Sequence, residues 1–170
     1  MSEKNKYYAE IDVDNIGKIK LALYHDIAPI TVENFVSLAN DGFYDGLTFH
    51  RIYRGFMIQG GDPEGNGMGG SDNKIKGEFA SNGVNNTLSH KRGVISMARS
   101  SNPNSASSQF FICHADSDFL DGNYAAFGEV VSGMDVVDAI ADTPVTYGFS
   151  GEKSTPLVPV VMKTVRIVEE

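Results

Sequence analysis

The apolar stretches of this 170-residue chain are short, and polar or glycine-containing turns separate them. Residues 8–13 and 18–23 flank an Asp-Asn-Ile-Gly turn and are typical of a β-hairpin. Many short strands with few helices between them favour a barrel or a sandwich, whereas a doubly wound fold would alternate strands with helices. Six further strand-like segments continue the pattern: 47–53, 56–59, 93–98, 109–113, 125–131 and 158–168.

Two segments have the periodicity of a helix. Val32, Phe35, Val36 and Ala39 are spaced i, i+3, i+4 and i+7, so they would share one face of an α-helix. Residues 134–141 repeat this spacing over a shorter stretch. The sequence therefore predicts a mainly β protein with two α-helices.

Composition excludes several classes of protein. A chain of this length fits one domain, residues 1–170, with a sizeable core. The net charge of −8 argues against a nucleic-acid surface, which is usually basic. No apolar run approaches the ~20 residues of a membrane span, and residues 1–8 lack the apolar core of a signal peptide. We therefore expect no nucleic acid, no membrane insertion and a cytoplasmic location.

Arg51 is the first candidate for a functional residue, because it interrupts a run of aromatic and aliphatic side chains at residues 49–62. Its guanidinium stays protonated and cannot act as a general base. It can, however, donate hydrogen bonds at a partly apolar surface. This pattern indicates chemistry by positioning and electrostatics, without a nucleophile.

Strand alternation groups other side chains with Arg51. Successive residues of a strand point to opposite faces, so residues two apart lie together. Glutamines are also hard to explain as core residues among so many apolar neighbours. Three pairs share a face on this reasoning: Arg51 with Tyr53, Met57 with Gln59, and Gln109 with Phe111.

No pattern predicts a metal or cofactor. The four histidines have no spacing with cysteine or carboxylates that suits a metal. The glycine run at 65–70 is not followed by a helical pattern, as a phosphate loop would be. Cys113, the single cysteine, lies in an apolar strand-like run and is expected to be a buried thiol rather than a nucleophile.

Four segments resemble the cyclophilin family of peptidyl-prolyl isomerases: 49–62, 108–113, 119–122 and 127–128. The resemblance extends over about residues 7–168. It implies a closed eight-stranded antiparallel barrel capped by two α-helices. It also implies a monomeric enzyme that rotates X-Pro bonds in peptides and in unfolded or nascent proteins, with no cofactor and no covalent intermediate.

The resemblance assigns a role to each site residue. Arg51 would donate a hydrogen bond to the twisting amide, and Gln59 would orient Arg51 and the substrate carbonyl. The other residues form three groups: Phe56, Met57, Phe111 and Leu120 in the proline pocket; Ala98, Arg99, Ser100 and Gln109 in the groove for residues before the proline; and Phe119 and Tyr124 at the rim.

The chain departs from the best-known eukaryotic members at several positions. Phe119 and Tyr124 stand where those members carry Trp and His, and Tyr53 and Arg54 replace an Ile-Pro pair. These changes are similar to those of the shorter bacterial cyclophilins. Because Phe119 has no N–H donor, we expect only weak binding of cyclosporin.

Two other functions compete with catalysis. A peptide-binding module on the same barrel would not catalyse, and Arg51 beside a complete pocket counts against it. A lipocalin-like carrier would need a hollow interior, whereas the many bulky inward residues predict a filled one. A protease-coupled isomerase assay distinguishes all three.

Overall fold

The computed structural model describes residues 7–65, 69–148 and 151–169, which form ten β-strands and two α-helices. The glycine run at 65–70 lies partly outside the described residues. The helices are α1, Pro29–Asn40, and α2, Met134–Ala141. The strands are β1 Tyr7–Val13, β2 Gly17–Leu23, β3 Arg51–Tyr53, β4 Met57–Gly60, β5 Val94–Met97, β6 Phe110–Cys113, β7 Ala126–Ser132, β8 Val145–Tyr147, β9 Lys153–Pro156 and β10 Met162–Glu169.

Eight of the strands form one antiparallel sheet in the order β10-β1-β2-β7-β5-β6-β4-β3, which curls into a half-barrel. The mainly β prediction and the predicted count of eight antiparallel strands are confirmed. The two edges of the sheet approach each other at a single bridge between Thr48 and Val161. Backbone hydrogen bonds from Phe49 to Val160 and from Met162 to Leu47 flank this bridge.

Both helices form where the apolar spacing predicts them. In α1 the buried residues include Val32, Phe35 and Ala39, while Val36 is only partly buried. Helix α2 follows Gly133, whose φ of +91° favours glycine. A Cβ at this position would lie 2.3 Å from the carbonyl oxygen of Lys18, so the close approach of β2 also requires glycine here.

Aromatic side chains fill the interior between α1 and the sheet. The Phe35 ring packs against Tyr44, Phe110 and Phe127 at centroid distances of 5.1, 5.5 and 5.5 Å. All four side chains are buried. Burial of each such ring stabilises the fold by about 1.5–3 kcal/mol. The space that a carrier would need for a ligand is thus occupied by the protein's own side chains.

The observed strands differ from the predicted ones in two ways. Several begin or end at other residues, and one hairpin was not predicted at all. Segment 47–53 becomes a strand only at Arg51, and segment 158–168 only at Met162. The residues before these strands form the bridge at Thr48 instead. Strands β8 and β9 pair with each other in a separate two-stranded sheet, which was not predicted. Strand β9 lies beside β3 and so brings a distant part of the chain next to Arg51.

Candidate active site

Cross-strand pairing aligns four side chains in one row on the face of the sheet that turns away from the main core. Arg51 pairs with Gln59, Gln59 with Phe111, and Phe111 with Ser96. Met57, Phe111 and Cys113 form a small buried cluster on this face, separate from the main core. The predicted alternation of residues therefore places the apolar and polar candidates on a common wall.

Nine of the predicted residues line one pocket of about 160 Å³. Met57 and Phe111 are almost fully buried and form its apolar floor. Phe56 reaches the pocket because a turn at Gly55, with φ of +81°, returns the chain from β3 to β4. The lining residues are Arg51, Phe56, Met57, Gln59, Ala98, Arg99, Phe111, Leu120 and Tyr124.

The two other groove residues, Ser100 and Gln109, line a neighbouring recess of about 460 Å³. Gln59, Ala98 and Arg99 border both cavities. Sequence reasoning missed the polar residues that complete the recess, for which no local pattern gave a signal: Glu64, Ser71, Lys74, Ser105 and Ser107.

A chain of amide hydrogen bonds connects the two cavities. The Arg51 Nη1 group donates to Gln59 Oε1 at 3.1 Å, and Gln59 Nε2 donates to Gln109 Oε1 at 2.9 Å. Gln109 Nε2 then donates to the carbonyl oxygen of Gly69 at 2.8 Å. These bonds fix the orientation of both glutamine side-chain amides at the cavities that they border.

Glu152 binds the Arg51 guanidinium and was not anticipated from the sequence. Arg51 Nε donates to Glu152 Oε1 at 2.7 Å, and Nη2 donates to Oε2 at 2.8 Å. Ser154 Oγ donates to the same carboxylate at 2.6 Å. The hydrogen bonds from Arg51, supported by the one from Ser154, lower the pKa of Glu152 to about 2 despite partial burial. The pair is therefore ionised at neutral pH.

A partly buried polar cluster supports the pocket from behind: His90 and Ser96 are buried, and Asp121 is exposed. His90 Nδ1 lies 2.8 Å from Asp121 Oδ1, and His90 Nε2 lies 2.9 Å from Ser96 Oγ. The His90 ring stacks on Phe111 at a centroid distance of 6.0 Å. A Ser-His-Asp arrangement suits hydrolysis only if substrate reaches the serine. Ser96 is 0% exposed, so this cluster fixes the Phe111 ring instead.

Sequence reasoning missed this cluster, although part of its signal was present. Ser96 lies two residues before Ala98 in a predicted strand, so the alternation that applies to the other strands would have placed it on the site face. His90 and Asp121 are 31 residues apart and have no such signal.

The two rim residues differ in their placement. Tyr124 lines the pocket, and the Arg99 guanidinium lies 4.9 Å from its ring centroid. Arg99 is also held by hydrogen bonds to the Asn123 carbonyl oxygen. Phe119 is 71% exposed and packs against Phe56 at 5.6 Å, outside the residues that line the pocket. Only Tyr124 thus borders the pocket directly.

The described residues offer neither an accessible cysteine nucleophile nor a cluster of potential metal ligands. No group of three or more potential metal ligands occurs in residues 7–65, 69–148 and 151–169. Burial raises the pKa of the Cys113 thiol to about 12, and its side chain is inaccessible. Within the same ranges, no helix is long and apolar enough to cross a membrane.

Comparisons with known proteins agree with this geometry. The family model for cyclophilin type peptidyl-prolyl cis-trans isomerases matches residues 8–167. A peptidyl-prolyl cis-trans isomerase of Acinetobacter baylyi is 48% identical over 90% of this chain and 81% of its own length. One from Arabidopsis thaliana is 41% identical over 90% of this chain and 91% of its own length.

The fold comparison gives the same result. A crystal structure of a Cryptosporidium parvum cyclophilin type isomerase, determined in the presence of the dipeptide Ala-Pro, matches with a TM-score of 0.84. The match covers 96% of this chain and 99% of the other, at 30% identity. On the family model, the relatives and the fold together, this chain belongs to the cyclophilin-type peptidyl-prolyl cis-trans isomerases.

Proposed function

We propose that this protein rotates X-Pro peptide bonds by hydrogen bonding from Arg51 to an amide held in a twisted geometry. The observation that carries the proposal is the placement of the Arg51 guanidinium beside a pocket whose floor, Met57 and Phe111, is apolar. The ~18–20 kcal/mol barrier to rotation comes from loss of amide resonance. As the bond twists, the proline nitrogen regains a lone pair and can accept a hydrogen bond. No covalent intermediate is needed.

Hydrogen bonding alone does not account for an efficient enzyme. A millionfold acceleration requires about 8 kcal/mol. A hydrogen bond to a charged group contributes about 1.5–3 kcal/mol net. The remainder would come from holding the peptide near its twisted geometry and from an apolar environment that disfavours the polar planar amide. Met57 and Phe111, which form the buried floor, would supply that environment.

Proline-containing peptides are the proposed substrates, in short form and within unfolded or nascent proteins. The proline ring would occupy the smaller pocket over Met57 and Phe111. Residues before the proline would lie along Ala98 and Arg99 towards the larger recess, which both residues also border. The Cryptosporidium parvum relative, determined in the presence of Ala-Pro, supports this class of ligand.

Cyclosporin is proposed as a weak ligand of the same site. Phe119 offers an exposed aromatic ring beside Phe56 but no hydrogen-bond donor. In the family, an indole N–H at this position contacts the inhibitor. Its absence would reduce affinity for the inhibitor more than turnover of small peptides, because Phe119 does not line the pocket.

A protease-coupled assay on a peptide with a slowly isomerising X-Pro bond tests the activity. We expect the wild-type protein to accelerate the slow phase and Arg51→Ala to lose most of that acceleration while still folded. A folded Arg51→Ala variant that retains wild-type turnover would refute the proposed role of Arg51. Peptide binding without any acceleration by the wild type would favour the non-catalytic module.

A further inference from the structure

We propose that Glu152 is a positioning residue for isomerisation, which holds the Arg51 guanidinium in its working orientation. This inference rests on the proposed role of Arg51 as the hydrogen-bond donor. It makes the β8–β9 hairpin part of the active site, although none of the hairpin's described residues, 145–148 and 151–156, lines the pocket beside Arg51.

The contact leaves donors for a substrate. A guanidinium has five N–H groups in a planar arrangement. Glu152 accepts from Nε and Nη2, and Gln59 accepts from Nη1. Two N–H groups, one on each terminal nitrogen, remain beyond these three hydrogen bonds. The carboxylate therefore binds one edge of the guanidinium and leaves donors for a substrate. Such a contact orients Arg51 without blocking substrate binding.

Arg51 needs such a constraint because it is long and partly exposed. Its side chain is 36% exposed, and an arginine side chain loses rotamer entropy when it is fixed in one orientation. A bidentate carboxylate fixes both the position and the plane of the guanidinium before substrate arrives. Because Arg51 is already ordered in the free enzyme, its loss of rotamer entropy does not add to the barrier of the reaction.

The hairpin holds Glu152 in turn. Its backbone carbonyl accepts hydrogen bonds from the N–H groups of Gly148 and Ser154, at 3.2 and 3.0 Å. The buried Ser154 hydroxyl donates to its carboxylate at 2.6 Å. Strand β9 lies against β3, which carries Arg51. Arg51 thus lies in a paired strand, and Glu152 lies directly before one, held by hydrogen bonds within the hairpin.

The first experiment compares kcat and KM of wild type, Glu152→Gln and Glu152→Ala in the coupled assay. A partly exposed ion pair contributes modestly, so we expect kcat/KM to fall about three- to five-fold, mainly through kcat. Asp142→Asn is the matched control, because it removes one negative charge from an exposed ion pair with Arg54. This control should stay within about twofold of wild type. Unchanged or increased activity in both Glu152 variants would overturn the proposal, and an increase would identify Glu152 as a competitor of substrate.

A spectroscopic measurement tests the contact independently of turnover. The Arg51 Nε–H resonance can be assigned by its loss in Arg51→Lys. In the wild type it should exchange slowly with water, and in Glu152→Gln it should exchange at least several-fold faster. Ser154→Ala, which leaves both charges in place, should show a smaller change in the same direction. Equal exchange in wild type and Glu152→Gln would also overturn the proposal.

The two proposals fail in different ways. A folded Arg51→Ala variant with full activity would refute the donor role itself, and the role of Glu152 with it. Loss of activity in Arg51→Ala, together with wild-type behaviour of both Glu152 variants, would refute only the positioning role. Loss of activity in the Glu152 variants, with unchanged folding by circular dichroism and faster Nε–H exchange, supports both.

Discussion

Strands β3, β4 and β6 are short, yet their two faces have different roles: one packs into the main core, and the other lines the pocket. On the inner face, Ile58, Phe110 and Ile112 belong to the main core and are 0% exposed. On the other face, Arg51 and Gln59 make polar contacts beside the small cluster of Met57 and Phe111. Residues that are adjacent in the sequence therefore point to opposite faces and affect different properties of the protein. Those facing the core determine stability, and those facing the pocket are available for chemistry.

Phe110 and Phe111 provide the sharpest test of this division, because they are adjacent in sequence and lie on opposite faces. Phe110→Ala should reduce the free energy of unfolding by about 3–5 kcal/mol, as expected for loss of a buried ring from a packed core. Chemical denaturation measures this value. Phe111→Ala should cost less stability but more turnover in the folded fraction. Equal destabilisation by the two substitutions would contradict the division between the faces.

Arg51→Ala tests the other face by itself. Removal of a charged hydrogen-bond donor worth about 1.5–3 kcal/mol should reduce kcat/KM by about 10- to 150-fold. Arg51→Lys should also be impaired, because an ammonium lacks the planar arrangement of donors that binds Glu152 and Gln59. The coupled assay measures both.

Stability provides the control for the Arg51 variants. Arg51 does not belong to the main core, and its ion pair with Glu152 is partly exposed, so both variants should lose much less stability than Phe110→Ala. A large loss of stability in Arg51→Ala would mean that the ion pair with Glu152 is chiefly structural.

Local periodicity explains why the division between the faces could be predicted from the sequence. Alternation in β4 and β6 assigns Met57 and Gln59 to one face and Ile58 to the other, and the structure agrees. Helical spacing likewise predicts α1 and α2. These patterns need only the geometry of one element. The roles of the site residues came from the family resemblance rather than from periodicity.

The partners of the site residues could not be predicted in this way. Glu152 meets Arg51 across 101 residues, and His90 meets Asp121 across 31. Each contact depends on how distant segments pack, and neither leaves a local pattern. The β8–β9 hairpin was missed because its strands are short and largely exposed, so they lack a buried apolar face.

Phe119 extends the comparison to the rim, where a residue can affect one ligand and not another. We expect Phe119→Trp to bind cyclosporin about two- to ten-fold more tightly, through one added hydrogen bond of about 0.5–1.5 kcal/mol. The value is modest because position 119 is exposed to water. Calorimetric titration of both forms measures the change. Peptide turnover should be nearly unaffected, and equal cyclosporin affinities would show that the missing donor is not the cause of weak binding.

The smallest expected effect concerns His90, which supports the Phe111 ring on the pocket face of the sheet. Burial lowers the pKa of His90 below 6.5, although its hydrogen bond to Asp121 opposes this shift. Between the folded pKa and 6.5, the unfolded chain therefore binds more protons than the native state. The free energy of unfolding should then rise with pH in this window and fall as the pH is lowered through it.

Denaturation of wild type and His90→Gln at several pH values between 7 and 5 measures this contribution. The variant should be less stable at pH 7, because it disturbs the hydrogen bonds to Asp121 and Ser96. It should nevertheless lose less stability on acidification, since one titrating group is gone. Some dependence should remain, because burial also lowers the pKa of His50. Parallel pH profiles for the two proteins would show that folding does not lower the pKa of His90, and would contradict this prediction.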